Sequence, residues 1–170
     1  MSKIDIKIPG PQDWQLYKDI RLTSLEDSPD AFGSTFTREA AFPDSEWQSR
    51  LDPDARAANA LPLIALTDGS AVGLAWGLIH APDLHSTHVY QMWVSPAQRG
   101  KGIGKLLLNE IVSWALSRGS ERLALSVTTN NDAAVGLYLS YGFAPSGPLE
   151  ELRPGSALTV QPMTMELRSD

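Results

Sequence analysis

The chain has 170 residues, of which 42% are hydrophobic and 20% charged, a composition typical of a globular domain with a buried core. It contains no cysteine, which excludes a disulfide framework, a catalytic thiolate and a cysteine-ligated zinc site. Its formal net charge is −6, and because nucleic-acid-binding domains usually carry a basic surface, no nucleic-acid partner is predicted. Negative charge keeps a protein soluble, and it also attracts cationic ligands.

The first residues, MSKIDIKIPGP, show no basic segment followed by an apolar one, so no signal peptide is predicted. No apolar run approaches the ~20 residues of a membrane-spanning helix. We therefore expect a cytoplasmic protein without a membrane partner, folded as a single domain over residues 1–170.

Apolar periodicity predicts strands and helices in the order β-αα-βββ-α-β-α-β-β. The clearest signal is a hairpin, in which residues 61–67 and 71–79 flank the turn Asp68-Gly69. Further strands are predicted at 3–8, 88–94, 123–127 and 159–167, and helices at Asp13 to Leu25, Pro43 to Leu51, 104–118 and 132–140. This order predicts a mixed α/β fold with helices on both faces of the sheet.

The most informative segment is Val94-Ser95-Pro96-Ala97-Gln98-Arg99-Gly100-Lys101-Gly102-Ile103-Gly104-Lys105, between a predicted strand and a predicted helix. Glycines at alternate positions allow positive φ and close approach of the backbone to a ligand. Their N–H groups and the helix N-terminus form a site for an anion, and Arg99 and Lys101 add positive charge. The segment is typical of a phosphate-binding loop.

Two common phosphate-binding motifs are excluded by spacing. A Walker loop requires a glycine five residues before its Gly-Lys pair and a Ser or Thr after it, whereas this chain has Arg99 and Leu106. A Rossmann fingerprint is Gly-x-Gly-x-x-Gly after an early strand, whereas this run is Gly-x-Gly-x-Gly in the middle of the chain.

The segment Arg99-x-x-Gly102-x-Gly104 resembles the diphosphate-binding pattern Arg/Gln-x-x-Gly-x-Gly/Ala of the GNAT superfamily of acetyl-CoA-dependent N-acetyltransferases. A second block, Asn131 to Phe143, resembles the Asn-x-x-Ala…Leu-Tyr-x-x-x-Gly-Phe block of that family, and the resemblance extends over residues 3 to 167. It implies a GNAT fold with a central, mostly antiparallel sheet of about seven strands and about four flanking helices.

The resemblance also implies where acetyl-CoA binds as the co-substrate. The pantetheine arm is expected along the main chain of Met92, Trp93 and Val94, and the diphosphate on the loop formed by Arg99, Gly100, Lys101, Gly102, Ile103, Gly104 and Lys105. Asn131 matches an asparagine that reaches the cofactor arm in the family. Its side chain equally suits a helix cap.

Two residues are the candidates for catalysis. Tyr138 matches the tyrosine that protonates the departing thiolate in many family members, although a helical tyrosine in this position also suits a core; Tyr141, three residues on, is the alternative. His88 stands where one group of these enzymes has a glutamate base, and Ser126 stands where another group has one and cannot replace it. His88 is either a base acting near neutral pH or a polar residue at a strand end.

The resemblance leaves the acceptor amine open between a small molecule and a protein amine. It attributes acceptor specificity to residues 28–37 and 149–160, where Phe32 and Phe36 either line the pocket or pack as core. The histidines and acids show no metal-ligand spacing, so no metal is predicted. A non-catalytic acyl-CoA-binding or sensing module of the same fold is the alternative function, and homodimers are common in the family.

Overall fold

A computed structural model of the chain describes residues 3–56 and 59–167, with residues 55 and 56 described in their backbone alone. Residues 1–2 and 168–170, the ends of the predicted domain, lie outside this description. Its α-helices are α1 (Trp14–Asp27), α2 (Phe36–Ala40), α3 (Asp44–Arg50), α4 (Pro53–Arg56), α5 (Ile103–Ser117) and α6 (Asp132–Tyr141). Its strands are β1 (Ile4–Lys7), β2 (Ala60–Thr67), β3 (Ser70–His80), β4 (Asp83–Val94), β5 (Arg122–Thr128), β6 (Ala144–Pro145), β7 (Glu150–Glu151) and β8 (Thr159–Glu166).

The eight strands of the described segments form one mixed sheet, as the sequence predicts. Its order is β1-β2-β3-β4-β5-β8-β6, and β7 also pairs with β8. Every pairing is antiparallel except that of β4 with β5. Because parallel neighbours need a crossover connection, α5 lies between these two strands in the chain.

Helices cover both faces of the sheet. The apolar side of α5, with Leu107, Leu108 and Ile111 fully buried, packs on one face together with α6. On the other face α1 and α3 bury Tyr17 and Trp47 in a second core cluster. Removing these apolar surfaces from water, at roughly 25 cal/mol per Å², is what holds the helices on the sheet.

The parallel pairing of β4 and β5 is short, and this creates the cleft of the molecule. It extends over Ser86–Arg122, Thr87–Leu123 and His88–Ala124. Beyond His88 no pairing joins the two strands within the described residues. The later part of β4 therefore has one edge, toward β5, without a neighbouring strand.

Several boundaries differ from the prediction. β4 begins at Asp83 rather than at His88, so His88 lies inside the strand. The short helices α2 and α4 were not predicted, and the predicted order has one strand besides the last after the final helix, without bounds, where the structure has the two-residue strands β6 and β7. Segments of two to five residues are too short to show a period. Asp13 precedes α1 but makes no side-chain capping bond to that helix, and its carboxylate accepts the Gly10 N–H at 2.9 Å instead.

Within the described residues, no helix is long and apolar enough to cross a membrane.

Candidate functional site

The glycine-rich segment forms a turn that leads from β4 into α5. Gly100 and Gly102 have φ of 79° and 83°, a left-handed conformation that other residues adopt with strain, and Gly102 is the N-cap of α5. Gly104 lies inside the helix, where α5 packs closely against α6. A Cβ at that position would lie 2.9 Å from Leu137 Cδ2, so a larger residue there would displace the end of the Leu137 side chain.

A cavity of about 640 Å³ opens in front of this turn. Almost all the residues predicted to hold the cofactor line it: Met92, Trp93, Val94, Arg99, Gly100, Gly102, Ile103, Gly104, Lys105, Asn131 and Tyr138. Lys101 does not, but its ammonium group donates at 3.1 Å to Oε1 of Gln98, which is itself a lining residue of this cavity. The cavity thus joins the glycine-rich turn, the free edge of β4 and helix α6.

Arg99 already has partners within the protein. Its Nε donates to the Val94 carbonyl at 2.9 Å, and Nη2 lies 3.3 Å from Asp27 Oδ2. Hydrogen bonds from Ser28 and Trp93, with the nearby charge of Arg99, hold the pKa of Asp27 below its ordinary value against a smaller effect of burial. Asp27 is therefore ionised near neutral pH, and an anion that binds Arg99 competes with it.

A second cavity, of about 530 Å³, lies on the β5 side of the cleft. It shares five lining residues with the first: Ala31, Met92, Asn131, Ala134 and Tyr138. The two cavities therefore adjoin each other, with the free edge of β4 on one side and helix α6 on the other.

Tyr138 lies at this junction. It is 6% exposed, and its ring packs edge-to-face against Phe143 with 5.7 Å between centroids. Burial raises the pKa of Tyr138 well above its ordinary value, so its hydroxyl keeps its proton. Tyr141 lines neither cavity, and its hydroxyl donates to Asn109 Oδ1 at 2.7 Å.

His88 lines the second cavity but not the first. Its ring lies against that of His80 at an angle of 31°, with 4.5 Å between centroids, and its buried Nδ1 has no hydrogen-bond partner among the described residues. Burial, with a smaller effect from the charge of His80, lowers the pKa of His88 although Asp83 and the Leu78 backbone oppose the shift. His88 is therefore a neutral ring near neutral pH, the state that accepts a proton.

Asn131 occupies the N-cap of α6, where its Oδ1 accepts the Ala134 N–H at 3.2 Å. It also lines both cavities. Of the two roles expected for Asn131, the helix cap is therefore present in the structure. Its oxygen makes the capping bond, which leaves its amide nitrogen for a ligand.

The segments expected to select the acceptor meet at the second cavity. Phe32 lines it and is 7% exposed, whereas Phe36 lines neither cavity and is 40% exposed. Glu150 and Glu151 line it from β7. Among its described lining residues none is Lys or Arg, so the cavity carries negative charge.

Three residues of this region were not identified from the sequence: Asp27, Gln91 and Tyr17. Asp27 lines the first cavity, as does Ser28 of the expected acceptor segment, and Gln91 lines the second with a left-handed φ of 56°. Tyr17, on α1, donates to Gln91. Tyr17 and Gln91 lie 74 positions apart, and Asp27 lies 66 positions from Trp93, which donates to its carboxylate, so no local pattern reveals these contacts.

Over the described part of the chain, no group of His, Asp and Glu residues is arranged to hold a metal ion.

Comparison with known proteins identifies relatives of this chain. The model of the acetyltransferase (GNAT) family matches residues 22–143. The uncharacterized N-acetyltransferase YdgE of Bacillus subtilis is 32% identical over 114 residues, which make up 65% of this chain and 73% of that protein. For four further curated relatives, the matched segment is 21% to 48% of their length.

Solved structures share the fold along nearly the whole chain. A GNAT-family acetyltransferase of Streptococcus pneumoniae superposes with a TM-score of 0.82 at 24% identity, covering 98% of this chain and 100% of the other. The putative acetyltransferase YncA of Salmonella typhimurium, solved with acetyl-CoA, superposes with a TM-score of 0.80 at 17% identity, covering 99% and 96%.

Proposed function

Because the chain belongs to the acetyltransferase (GNAT) family, we propose that it transfers an acetyl group from acetyl-CoA to a primary amine by direct attack. One observation carries this proposal. The first cavity runs from a glycine turn at the N-terminus of α5, past the free edge of β4, to Tyr138, which also lines the adjoining second cavity. One end suits a diphosphate, the middle suits an extended chain, and the junction has room for a reaction between two substrates.

The turn at Gly100 and Gly102 supplies the diphosphate site. Neither residue has a side chain to obstruct a ligand, and the first N–H groups of α5 are free of helical partners, so they bind negative charge favourably. Lys105, in the first turn of the same helix, adds a cation. We expect Arg99 to join them by exchanging its contact with Asp27 for one with phosphate.

The free edge of β4 supplies the next part of the site. Met92 and Val94 line the first cavity where β5 has diverged, so their backbone groups are suited to pair with the amides of a pantetheine arm. Asn131 faces the same cavity from α6. A pantetheine arm bound here would deliver the acetyl group close to Tyr138.

The chemistry follows from the two substrates. The neutral amine attacks the acetyl carbonyl carbon, forming a C–N bond, and the C–S bond then breaks to release the CoA thiolate. Backbone N–H groups of β4 stabilise the oxyanion of the tetrahedral intermediate. His88 first removes a proton from the incoming ammonium, directly or through water, and releases it to solvent. As the C–S bond breaks, Tyr138 donates a proton to the thiolate, and the acetylated nitrogen loses its surplus proton, which restores the Tyr138 hydroxyl. No covalent enzyme intermediate is required.

We also propose that residues 1–170 act as one domain. All eight described strands belong to a single sheet, and both core clusters pack on it, which supports one cooperative unit.

The test of the function combines turnover with binding. The wild-type protein is incubated with acetyl-CoA and a panel of small-molecule and peptide amines, and the release of CoA and the acetylated amine are measured. Calorimetry then compares CoA with pantetheine, which lacks the phosphates. We expect acetylation of at least one amine and much tighter binding of CoA.

The variant Gly102→Val probes the diphosphate site directly. Valine is strained at a φ of 83° and places a branched side chain at the start of α5, so CoA binding should be lost. Gly119→Val is the matched control, because Gly119 has a φ of 80° and open space around its Cβ position but lies beyond the far end of α5. Equal affinity for CoA and pantetheine would contradict the diphosphate site. Tight CoA binding without acetylation of any amine would instead indicate a non-catalytic binding module.

A further inference from the structure

β4 contains a bulge at the cleft. Tyr90 pairs with Trp76 of β3, and Trp93 pairs with Leu74. Two residues of β4, Gln91 and Met92, therefore stand opposite the single residue between those partners, which is the arrangement of a β-bulge. A bulge leaves one residue outside the hydrogen-bonded ladder and redirects the backbone groups around it. Gln91 lines the second cavity and Met92 lines both.

The bulge requires an unfavourable backbone conformation. Gln91 has a φ of 56°, in the left-handed region that a residue with a side chain occupies at an energetic cost. Such a conformation persists where surrounding contacts enforce it, and it is found disproportionately at functional sites. A contact that keeps Gln91 in this conformation therefore also maintains the shape of the cleft.

Tyr17 provides such a contact from the opposite helix layer. Its hydroxyl donates to Gln91 Oε1 at 2.8 Å. The tyrosine is 1% exposed, and its ring lies edge-to-face against Trp47 and Trp76, each with 5.7 Å between centroids. Burial raises the pKa of Tyr17 despite the nearby Arg50, so the hydroxyl remains a donor.

The Tyr17 hydroxyl oxygen is also contacted by Arg50. The Arg50 Nη1 atom lies 3.4 Å from this oxygen and 3.2 Å from Glu39 Oε1. Glu39 in turn forms two hydrogen bonds with Arg21, and both of these residues are buried. The chain of contacts therefore runs from α2 through α3 and α1 to the bulge of β4, and it ends at the cleft.

We propose that Tyr17 is a positioning residue that acts through Gln91, holding the β4 bulge so that a backbone N–H faces the acetyl carbonyl of the bound thioester. This inference rests on the proposed acetyltransferase function. Tyr17 lines neither cavity, so its effect on the reaction passes through the bulge and not through contact with a substrate.

The test is a double-mutant cycle of Tyr17→Phe with Gln91→Gly. Tyr17→Phe keeps the ring packing and removes the donor, so kcat should fall about tenfold as the N–H moves out of position, while KM for acetyl-CoA stays within about twofold. Glycine at position 91 has no amide to hold and adopts positive φ without strain. In the Gln91→Gly background, Tyr17→Phe should therefore change kcat by less than about twofold.

Ser24→Ala is the control. Ser24 is a fully buried residue of the same helix, and its hydroxyl donates within α1, to the Arg21 carbonyl. Its loss should leave kcat unchanged even if it lowers the melting temperature. An equal loss of kcat from Tyr17→Phe in both backgrounds, or no loss in the wild-type background, would overturn the proposal.

Calorimetry separates failure of this inference from failure of the proposed function. If the wild-type protein acetylates no amine, the ratio of its affinities for acetyl-CoA and CoA still reports on the carbonyl contact. A preference for acetyl-CoA that Tyr17→Phe removes supports the positioning role without turnover. A ratio that is the same in the variant and the wild type, or that shows no preference in the wild type, overturns it.

Discussion

Burial of the Tyr138 hydroxyl has two opposing consequences for its proposed role as an acid. The raised pKa makes the phenol a weaker proton donor, yet it also keeps the proton in place until a stronger base arrives. A thiolate released in the same cavity is itself poorly solvated and becomes a stronger base for that reason. Donor and acceptor are therefore shifted in the same direction, and proton transfer between them remains feasible.

We predict that Tyr138→Phe slows acetyl transfer roughly 10- to 10⁴-fold, because the ring is kept and the acid is removed. CoA affinity, measured by calorimetry, should change little. Tyr141→Phe is the control, since it removes a hydroxyl from the same helix whose partner is Asn109 outside both cavities. If Tyr141→Phe is the damaging substitution, Tyr138 is a core residue and not the acid.

His88 differs from Tyr138 because its lowered pKa favours the role proposed for it. A base must be unprotonated, and burial together with the charge of His80 moves the pKa of His88 below its ordinary value of about 6.5. Activity should therefore decline as the pH falls through that lowered pKa and should be unaffected by His88 titration above it. The acid limb of the rate profile thus lies below pH 6.5.

We predict that His88→Gln lowers the rate at neutral pH for a strongly basic amine and that the rate recovers at alkaline pH, where the amine loses its proton unaided. With a weakly basic amine, already neutral in the assay, the same variant should be nearly as active as wild type. His85→Gln is the control, because His85 is exposed and lines neither cavity. Unchanged pH profiles for His88→Gln on both amines would show that water removes the proton.

At the scale of elements, periodicity was sufficient for most of the longer elements. The hairpin of β2 and β3 and the helices α5 and α6 lie within two residues of their predicted ends, whereas β4 begins five residues earlier than predicted. The left-handed turn at Gly100 and Gly102 was also predictable, because its glycine pattern is contiguous in sequence.

Elements that tertiary packing defines were not predictable in the same way. The bulge at Gln91 depends on the pairing of β4 with β3 and on Tyr17, 74 residues earlier in the chain. Asp27 enters the site because α1 lies against β4, where Trp93 Nε1 donates to its carboxylate at 3.1 Å. The hydrogen bond from Lys101 to Gln98, a lining residue of the first cavity, was not predicted either, and the contact of Lys101 with a cofactor stays a prediction. The roles assigned to the cavity-lining residues remain predictions.

At the scale of the whole molecule, charge is distributed unequally between the two cavities. Arg99 and Lys105, at the glycine turn, line the first together with Asp27 and Asp30, whereas Glu150 and Glu151 are the charged residues among the described lining of the second, on a chain of net charge −6. The first suits a diphosphate, and the second suits an amine with a further cationic group better than one with a carboxylate. Long-range attraction by the negative surface adds to this preference at low ionic strength.

We predict that kcat/KM for 1,5-diaminopentane exceeds that for 5-aminopentanoate of equal chain length by about tenfold at low salt, and that added salt reduces the difference. The double variant Glu150→Gln/Glu151→Gln should remove most of it. The matched control, Asp19→Asn/Glu110→Gln, alters net charge by the same amount at two exposed positions outside both cavities. An equal effect of both double variants would attribute the preference to overall charge, and a preference for the carboxylate-bearing amine would contradict the proposed acceptor class.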